Sequence, residues 1–146
     1  MALPLICITL EGNDIAYILK KAEMATAEGA DLIEVRFDNL YVEPVKVTAQ
    51  NAEGVDETSV ELVPRSLDSV NVSESIGQLK KGIEMPVLFT CRNRSEGGLF
   101  PGDEGARLSI LEQAIASGVS WIDLELSIPK KKREKLFAAA IDSGTK

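Results

Sequence analysis

The chain has 146 residues, of which 45% are hydrophobic, so it is long enough for one globular domain with its own core. Its formal net charge of −7 at pH 7 argues against the basic surfaces that bind nucleic acids and anionic membranes. The chain contains no histidine, which removes the most common general base and the most common metal ligand, so a zinc site is not expected. Composition therefore favours a small soluble molecule as the binding partner.

Short apolar runs and helical stripes alternate along the chain. Runs rich in β-branched residues predict strands, and apolar residues at spacings of three and four predict helices. The predicted strands are Leu3–Leu10, Leu32–Phe37, Pro86–Cys91 and Val119–Leu126. The predicted helices are Asp14–Glu28, capped by Asn13, then Val72–Ile83, one around Leu108–Ile115 and one around Leu136–Ile141. A glycine marks the end of each helix, at Gly29, Gly82, Gly118 and Gly144.

This alternation predicts a parallel sheet covered by helices, which is either a barrel or an open, doubly wound sheet. Residues 39–66 contain acidic and small residues with two prolines and are predicted to form a long, mobile loop. Residues 95–105 contain four glycines and predict a second loop, whose spacing does not match phosphate-binding motifs. Trp121, on the last predicted strand, is expected to face the core or a helix.

The chain ends two residues after Gly144, where the earlier repeats each begin a strand. Four parallel strands would leave both sheet edges unpaired, whereas the stable form of this repeat is a closed barrel of eight strands. We therefore expect residues 1–146 to be the N-terminal part of a single (β/α)8 TIM-barrel domain, covering about the first four βα units. The alternative is a non-catalytic (βα)4 half-barrel module that assembles with itself, as a homodimer, or with a partner chain.

The cellular location is predicted from hydropathy and cysteine use. No apolar run approaches the roughly 20 residues that span a bilayer, and no basic segment precedes the first apolar stretch. Cys7 and Cys91 each lie in an apolar, strand-like run, where a thiol behaves as a small buried hydrophobe. We therefore expect a cytoplasmic protein without a disulfide.

Charged residues collect at the ends of the predicted strands. Side chains two apart on a strand share a face, so Glu34 projects with Arg36, and Thr90 with Arg92. The same spacing joins Asp123 and Glu125 on the last predicted strand. Because the carboxyl ends of the strands surround the active site in a parallel barrel, these residues are candidates for binding a ligand.

Two other interpretations of these charges stay open. A structural lattice of salt bridges that fills the barrel mouth would use Glu34, Arg36, Arg92 and Asp123. A site for Mg²⁺ or Mn²⁺ would use Glu34, Asp123 and Glu125 as ligands. Since arginine forks match carboxylates and vicinal hydroxyls, Arg36 and Arg92 favour an anionic, polyhydroxylated substrate over an apolar one.

Three phrases at these strand ends resemble successive motifs of type I 3-dehydroquinate dehydratase. They are Leu-Ile-Glu-Val-Arg-Phe-Asp at 32–38, Pro-Val-Leu-Phe-Thr-Cys-Arg at 86–92 followed by Ser-Glu-Gly-Gly at 95–98, and Ile-Asp-Leu-Glu-Leu at 122–126. The resemblance implies a (β/α)8 barrel that converts 3-dehydroquinate to 3-dehydroshikimate in the shikimate pathway, through a Schiff base and without a metal or cofactor. It also implies substrate contacts for Thr9, Glu34, Arg36 and Arg92, and a supporting acid/base role for Glu96.

The chain lacks two residues on which the chemistry of that family depends. In the family a lysine on a later strand forms the Schiff base, and a histidine on the fifth strand removes a proton from the substrate. No histidine is present, and the Lys130–Arg133 run lies at a helix start, where a solvated face is expected. We therefore expect the 146-residue chain to be inactive by itself.

Overall fold

A parallel sheet forms the centre of the computed structural model, which describes residues 3–146. The strands in chain order are β1 (Cys7–Leu10), β2 (Leu32–Arg36), β3 (Val42–Gln50), β4 (Asp56–Pro64), β5 (Val87–Thr90) and β6 (Trp121–Ile122). The helices are α1 (Ile15–Ala27), α2 (Val72–Gly82), α3 (Glu104–Ala116) and α4 (Lys130–Ser143). The sheet contains β1, β2, β5 and β6 in that order, and each neighbouring pair is parallel. The predicted α/β fold with a parallel sheet and covering helices is confirmed.

Polar side chains set where the first three helices begin. The Asp14 carboxylate accepts a hydrogen bond from the Tyr17 amide at 2.8 Å, so Asp14 caps α1, and the predicted cap Asn13 is wrong by one residue. Asn71 and Asp103 cap α2 and α3 in the same way. Each cap satisfies an amide that has no partner inside the helix, which stabilises the start of the helix.

The four helix-end glycines act in two different ways. Gly29, Gly118 and Gly144 have φ angles of 95°, 73° and 76°, in the left-handed region that favours glycine after a helix. Gly82 is instead the last residue of α2, and a Cβ atom built there would lie 2.6 Å from the side chain of Leu19 in α1. Gly82 therefore permits the close approach of two helices and does not form a left-handed turn.

The helices cover one face of the sheet and leave the other open. The fully buried strand residues that point toward the helices are at most 1% exposed, and they are Ile33, Val35 and Phe89. Burial of this face supplies the main stabilisation of the fold, because apolar area removed from water contributes about 25 cal/mol per Å². The opposite face carries the polar side chains of the strands.

Trp121 lies on this open face. Parallel pairing aligns it with Leu88 of β5, and Leu88 with Glu34 of β2, so the three side chains project on the same side. The prediction that Trp121 faces the core or a helix is therefore wrong. Its ring is close to the Lys146 ammonium, with 5.2 Å between Nζ and the ring centroid.

Residues 39–66 do not form the predicted loop. Most of the segment is an antiparallel hairpin of β3 and β4 with nine paired positions, from Val42 opposite Pro64 to Gln50 opposite Asp56. Nearly all its residues beyond Val42 are exposed, although Val45, Val47 and Ala49 alternate with polar residues in the pattern by which strands are predicted. Its base is closed by the Arg65 amide, which donates to the Tyr41 carbonyl at 2.7 Å.

The last predicted strand is shorter than expected, and the end of the chain already pairs beside it. Only Trp121–Ile122 is strand, against the predicted 119–126. The Lys146 amide donates to the Ser120 carbonyl at 3.0 Å, and the Lys146 carbonyl accepts from the Ile122 amide at 2.9 Å. This is the hydrogen-bonding pattern of parallel strands, so Lys146 continues the backbone pairing of the sheet beside β6.

The two cysteines differ in environment. Both are free thiols, and Cys91 is buried as predicted, but Cys7 is exposed on the open face, so the expectation that it is buried is wrong. Burial raises the pKa of the Cys91 thiol. Partial desolvation by neighbouring groups, together with the nearby Glu34 charge, raises the pKa of Cys7, so both side chains favour the neutral thiol. Within residues 3–146, no helix is long and apolar enough to cross a membrane.

Candidate active site

The carboxyl ends of β1, β2 and β5 bring three of the predicted residues into direct contact. The Glu34 carboxylate accepts hydrogen bonds from the Thr9 hydroxyl at 2.5 Å and from the Thr90 hydroxyl at 2.8 Å. The Thr90 side chain is completely buried, whereas Thr9 is exposed. Glu34 is therefore held between two neighbouring strands with a fixed orientation, and a carboxylate has acceptor positions beyond the two that the threonines use.

Asp38, which was not among the predicted site residues, holds the two arginines in place. Its carboxylate accepts from Nε and Nη2 of Arg36 at 3.0 and 2.8 Å, which is a bidentate pair. It also accepts from the backbone amides of Arg92 at 3.2 Å and Leu99 at 2.9 Å. Asp38 is 0% exposed, and the hydrogen bonds that Arg36 donates to it raise the pKa of Arg36, which keeps that guanidinium charged.

A sequence signal for Asp38 was available. Asp38 stands two residues after Arg36, and Glu34 stands two residues before it, so the spacing on the two sides of Arg36 is the same. However, β2 ends at Arg36 and the chain enters a short 3₁₀ helix over Phe37–Tyr41, so strand alternation no longer applies at Asp38. The spacing could suggest proximity, but not the four hydrogen bonds.

Arg92 forms the second charged pair of the site. Its Nη2 donates to Oδ2 of Asp123 at 2.5 Å, across the ends of β5 and β6. Its Nη1 lies 3.9 Å from Oε2 of Glu96, a longer contact. The side chains of Arg92, Asp123 and Glu96 are each about 30% exposed, so water reaches all three. This pair can open to exchange partners with a ligand at low cost, since half-exposed ion pairs contribute little.

Two adjacent glycines determine how Glu96 is presented. Gly97 has a φ of 80°, which turns the chain sharply after the short 3₁₀ helix Arg94–Glu96. A Cβ atom at Gly98 would lie 2.1 Å from the carbonyl oxygen of Arg92, so only glycine fits there. The Gly-Gly pair therefore folds the loop back onto the end of β5 and keeps Glu96 next to Arg92.

The structure decides between the open interpretations of the charges. Of the four residues proposed for a lattice, only Arg92 and Asp123 form a salt bridge with each other, because Arg36 pairs with Asp38 and Glu34 bonds to threonines. The lattice of Glu34, Arg36, Arg92 and Asp123 is therefore wrong as a whole. The four residues lie on the same open face of the sheet. Glu34 and Arg36 bond to residues outside this set of four, and Arg92 and Asp123 bond to each other.

The alternative of a site for Mg²⁺ or Mn²⁺ is also wrong. Glu125 turns away from the open face and bonds to the buried Arg107 of α3, with 2.7 Å between Oε2 and Nη1. Asp123 is paired with Arg92. Among residues 3–146 no group of three or more His, Cys, Asp or Glu side chains could hold a metal ion, so Glu34, Asp123 and Glu125 do not converge.

The hairpin adds a wall to the region around Arg36. A cleft of about 330 Å³ lies between the loop after β1, the hairpin and the loop after β5. Arg36 and Asn39 lie at its base, and Pro44, Leu62 and Leu99 form its apolar sides. A wider cleft of about 650 Å³ between α1 and α2 lies behind the helices, away from all these residues. The polar cleft beside Arg36 is therefore the one connected to the candidate site.

The arrangement can bind and orient a polyhydroxylated anion. Glu34 offers an oriented acceptor for hydroxyl groups, and Arg36 and Arg92 offer planar donors for hydroxyl or carboxylate oxygens. The lysines of the 130–133 run are exposed at the start of α4, as expected, and lie outside the site. The thiols near the site favour their neutral form, which makes them poor nucleophiles at neutral pH.

Known proteins share both the sequence and the fold. The family profile described as Type I 3-dehydroquinase matches residues 6–146. A 3-dehydroquinate dehydratase of Desulfotalea psychrophila is 40% identical over 70 residues, which cover 48% of this chain and 30% of that protein. The pentafunctional AROM polypeptide of Komagataella phaffii is 32% identical over 126 residues, covering 86% of this chain and 6% of that protein.

Solved structures agree on the fold. The structure of 3-dehydroquinate dehydratase from Enterococcus faecalis superposes with a TM-score of 0.72 at 19% identity, covering 98% of this chain and 51% of that chain. The chain thus spans about half the length of this solved relative, and the segment that matches the Desulfotalea protein covers 30% of that protein. Because the family profile covers nearly the whole sequence, including all three motifs at the strand ends, this chain belongs to the type I 3-dehydroquinase family.

Proposed function

We propose that the complete protein is a 3-dehydroquinate dehydratase, a hydro-lyase of the shikimate pathway, and that these 146 residues carry part of its substrate site. The observation that carries this proposal is the Glu34 carboxylate fixed between Thr9 and Thr90, beside Arg36 and Arg92. An acceptor next to two planar cations suits the hydroxyls and carboxylate of a cyclohexane acid such as 3-dehydroquinate. In this assignment Thr9, Glu34, Arg36 and Arg92 contact the substrate.

Each proposed contact has a distinct role. Two acceptor positions of Glu34 are occupied by threonines, so the remaining ones can accept a ring hydroxyl in a fixed direction. Asp38 uses Nε and Nη2 of Arg36, and within residues 3–146 no protein group accepts from Nη1, which is left for the substrate. Glu96, 3.9 Å from Arg92, would assist proton transfer by a base supplied from elsewhere in the barrel.

We also propose that residues 1–146 are the N-terminal part of a single (β/α)8 barrel domain. The sheet has four parallel strands, and its polar face is open. A Schiff-base lysine needs a desolvated pocket that lowers its pKa, which requires a closed barrel around it. The proposed reaction thus depends on a lysine and a histidine outside these residues. A cytoplasmic location is proposed as well, since two free thiols suit a reducing compartment.

The 146-residue chain alone is expected to show no turnover of 3-dehydroquinate. It has no histidine, and within residues 3–146 no hydrogen bond or salt bridge joins a lysine to Glu34, Arg36 or Arg92. The measurement is the rise in ultraviolet absorbance of the conjugated enone product, compared with a complete enzyme of the family as the positive control. Sustained product formation by the chain would contradict the division of the site proposed here.

Binding is the complementary test, because it does not require the absent residues. Addition of 3-dehydroquinate to the ¹⁵N-labelled chain is expected to shift the signals of Thr9, Arg36 and Arg92. The matched control is Arg92→Lys, which keeps the charge but loses the planar fork and should weaken the response. If the shifts occur elsewhere, or equally in both proteins, the substrate assignment is wrong.

One observation favours the alternative of a non-catalytic (βα)4 module. Large apolar side chains are exposed at both ends of the sheet, and they include Leu3, Leu5 and Ile6 near β1 and Phe137 and Ile141 on α4. Exposed apolar groups next to open strand edges are typical of surfaces that another chain covers. Light scattering after size exclusion is expected to give a monomer or a heterogeneous mixture, whereas a single homodimer with cooperative melting would favour the module.

A further inference from the structure

Arg107 of α3 is completely buried and connects three parts of the chain. Its Nε and Nη2 donate to the two carboxylate oxygens of Glu104, both at 2.8 Å. Its Nη1 donates to Oε2 of Glu125 at 2.7 Å and to the carbonyl oxygen of Cys91 at 2.9 Å. Burial alone would lower the Arg107 pKa, but the hydrogen bonds to Glu104 and Glu125 outweigh it and raise the pKa, so the charge is retained.

The groups that Arg107 holds are sequence neighbours of the Arg92–Asp123 pair. Cys91 directly precedes Arg92, and Glu125 follows Asp123 by two residues. Arg107 therefore bridges the ends of β5 and β6 from the helix side, while Arg92 and Asp123 bridge them from the open side. β5 and β6 share only two paired positions, and the Asp123 amide adds one backbone bond to the Phe89 carbonyl at 3.0 Å, so these side-chain links reinforce a short backbone ladder at the two strand ends.

The cost of this cluster indicates that it does more than fill space. Glu125 is 7% exposed, and its Oε1 has no hydrogen-bond partner within residues 3–146. Burying an ion pair with an unsatisfied oxygen is expensive, and apolar residues of similar volume often stabilise a core equally well. A packing role alone would not require Arg107, whereas a directional link to the Cys91 carbonyl does.

We propose that Arg107 is a positioning residue of the substrate site, which sets the Arg92–Asp123 geometry through the Cys91 carbonyl and Glu125. That this region binds the substrate rests on the function proposed above. The effect of Arg107 on the geometry of Arg92 and Asp123 does not depend on that function. Arg107 touches none of the groups proposed to contact the substrate. Arg107 acts on Arg92 through the Cys91 carbonyl at the end of β5. It acts on Asp123 through Glu125 in the segment that follows β6.

The test uses the whole 146-residue chain, labelled with ¹⁵N, without any ligand. Removing Arg107 alone would leave Glu125 buried and uncompensated, so the informative variant is the double change Arg107→Met with Glu125→Met, which removes the whole ion pair. The readout is the Arg92 Nε–H signal and its exchange rate with water. The internal reference is the Nε–H signal of Arg65, a side chain held far from α3 because its Nη1 donates to the Asn13 and Leu40 carbonyls.

In the double variant the Arg92 signal is expected to shift and its exchange to quicken by about tenfold, while the Arg65 signal stays unchanged. Unchanged signals for both arginines would overturn the proposal, since Arg107 would then only pack. Equal changes in both would also overturn it, because they would report a general loosening of the fold. A merely structural role does not predict a change confined to Arg92.

A second variant keeps the test decisive if the double change does not fold. Arg107→Lys retains the charge beside Glu125 but cannot also reach Glu104 and the Cys91 carbonyl, so a smaller shift confined to Arg92 is expected. An unchanged Arg92 signal in this variant would overturn the proposal. Adding 3-dehydroquinate to the unaltered chain separates the two hypotheses, because an absent response there contradicts the proposed function and leaves the positioning result untouched.

Discussion

Replacing Asp38 by asparagine is expected to lower the free energy of unfolding by about 3 kcal/mol, the range found when one partner of a buried charge pair is removed. The carboxylate of Asp38 is 0% exposed and accepts four hydrogen bonds, from two Arg36 nitrogens and the amides of Arg92 and Leu99. An asparagine has the same shape but only one acceptor oxygen. Its amide group would face donors, and the Arg36 charge would lose its counter-ion.

Replacing Asp38 should also disorder the two arginines of the candidate site. Asp38 fixes the Arg36 guanidinium and the backbone at Arg92, so both proposed substrate contacts lose their support together. Urea unfolding of the chain measures the free energy, and ¹⁵N spectra of the two arginines report their order. Asp68→Asn is the matched control, because Asp68 is exposed and the same chemical change there is expected to alter stability by less than about 0.5 kcal/mol.

If the Asp38→Asn variant unfolds at the same urea concentration as the Asp68→Asn control, the predicted stabilising role of Asp38 is wrong. A loss of stability without any change in the Arg36 and Arg92 signals would limit Asp38 to the fold. The expected result is a change in both measurements, because the same four bonds support both.

Gly98→Ala is expected to destabilise the chain by at least about 3 kcal/mol, the upper end of the cost of overpacking. The new methyl carbon would lie 2.1 Å from the Arg92 carbonyl oxygen, 2.3 Å from the carbonyl carbon and 2.6 Å from the Asn93 carbonyl oxygen. All three atoms are backbone, so no side-chain rotation can relieve the overlap. The loop must move away from β5, and Glu96 with it.

Gly77→Ala provides a control in which the same substitution is expected to stabilise the chain instead of destabilising it. Gly77 lies inside α2, and nothing lies within 4 Å of a Cβ atom built there. Alanine at such a position should stabilise the helix by about 0.5 to 1 kcal/mol, because it restricts the unfolded chain more than glycine does. Thermal melting followed by circular dichroism compares the two variants, and similar melting temperatures would mean that the loop after β5 adapts to a side chain at Gly98.

Residues buried on one face of a regular element were predictable from the sequence. The alternation that placed Glu34 beside Arg36 on the open face holds because β2 is regular as far as Arg36, and its partners Thr9 and Thr90 lie in the predicted strands. The four helices follow from their apolar stripes in the same way. Local periodicity reports the burial of a face, and in these elements one face is buried.

The errors arise where that relation between pattern and burial breaks down. In the hairpin Val45 and Val60 lie in alternating runs that are typical of strands, but both side chains are exposed, so the alternation there does not report a buried face. Trp121 is a large apolar side chain, but it lies on the open face. The contact of Glu125 with Arg107 joins residues 18 positions apart, through the packing of α3. Such tertiary contacts leave no mark in the local sequence.

The closed base of the hairpin determines how the length of the hairpin can change during evolution. Because the Arg65 amide meets the Tyr41 carbonyl at 2.7 Å, the chain departs from and rejoins the domain at one point. The intervening residues impose no geometric demand on the sheet, and lengthening or shortening them leaves the ends where they are. Selection can therefore vary this hairpin at the rim of the cleft while the sheet and the candidate site beneath it are preserved.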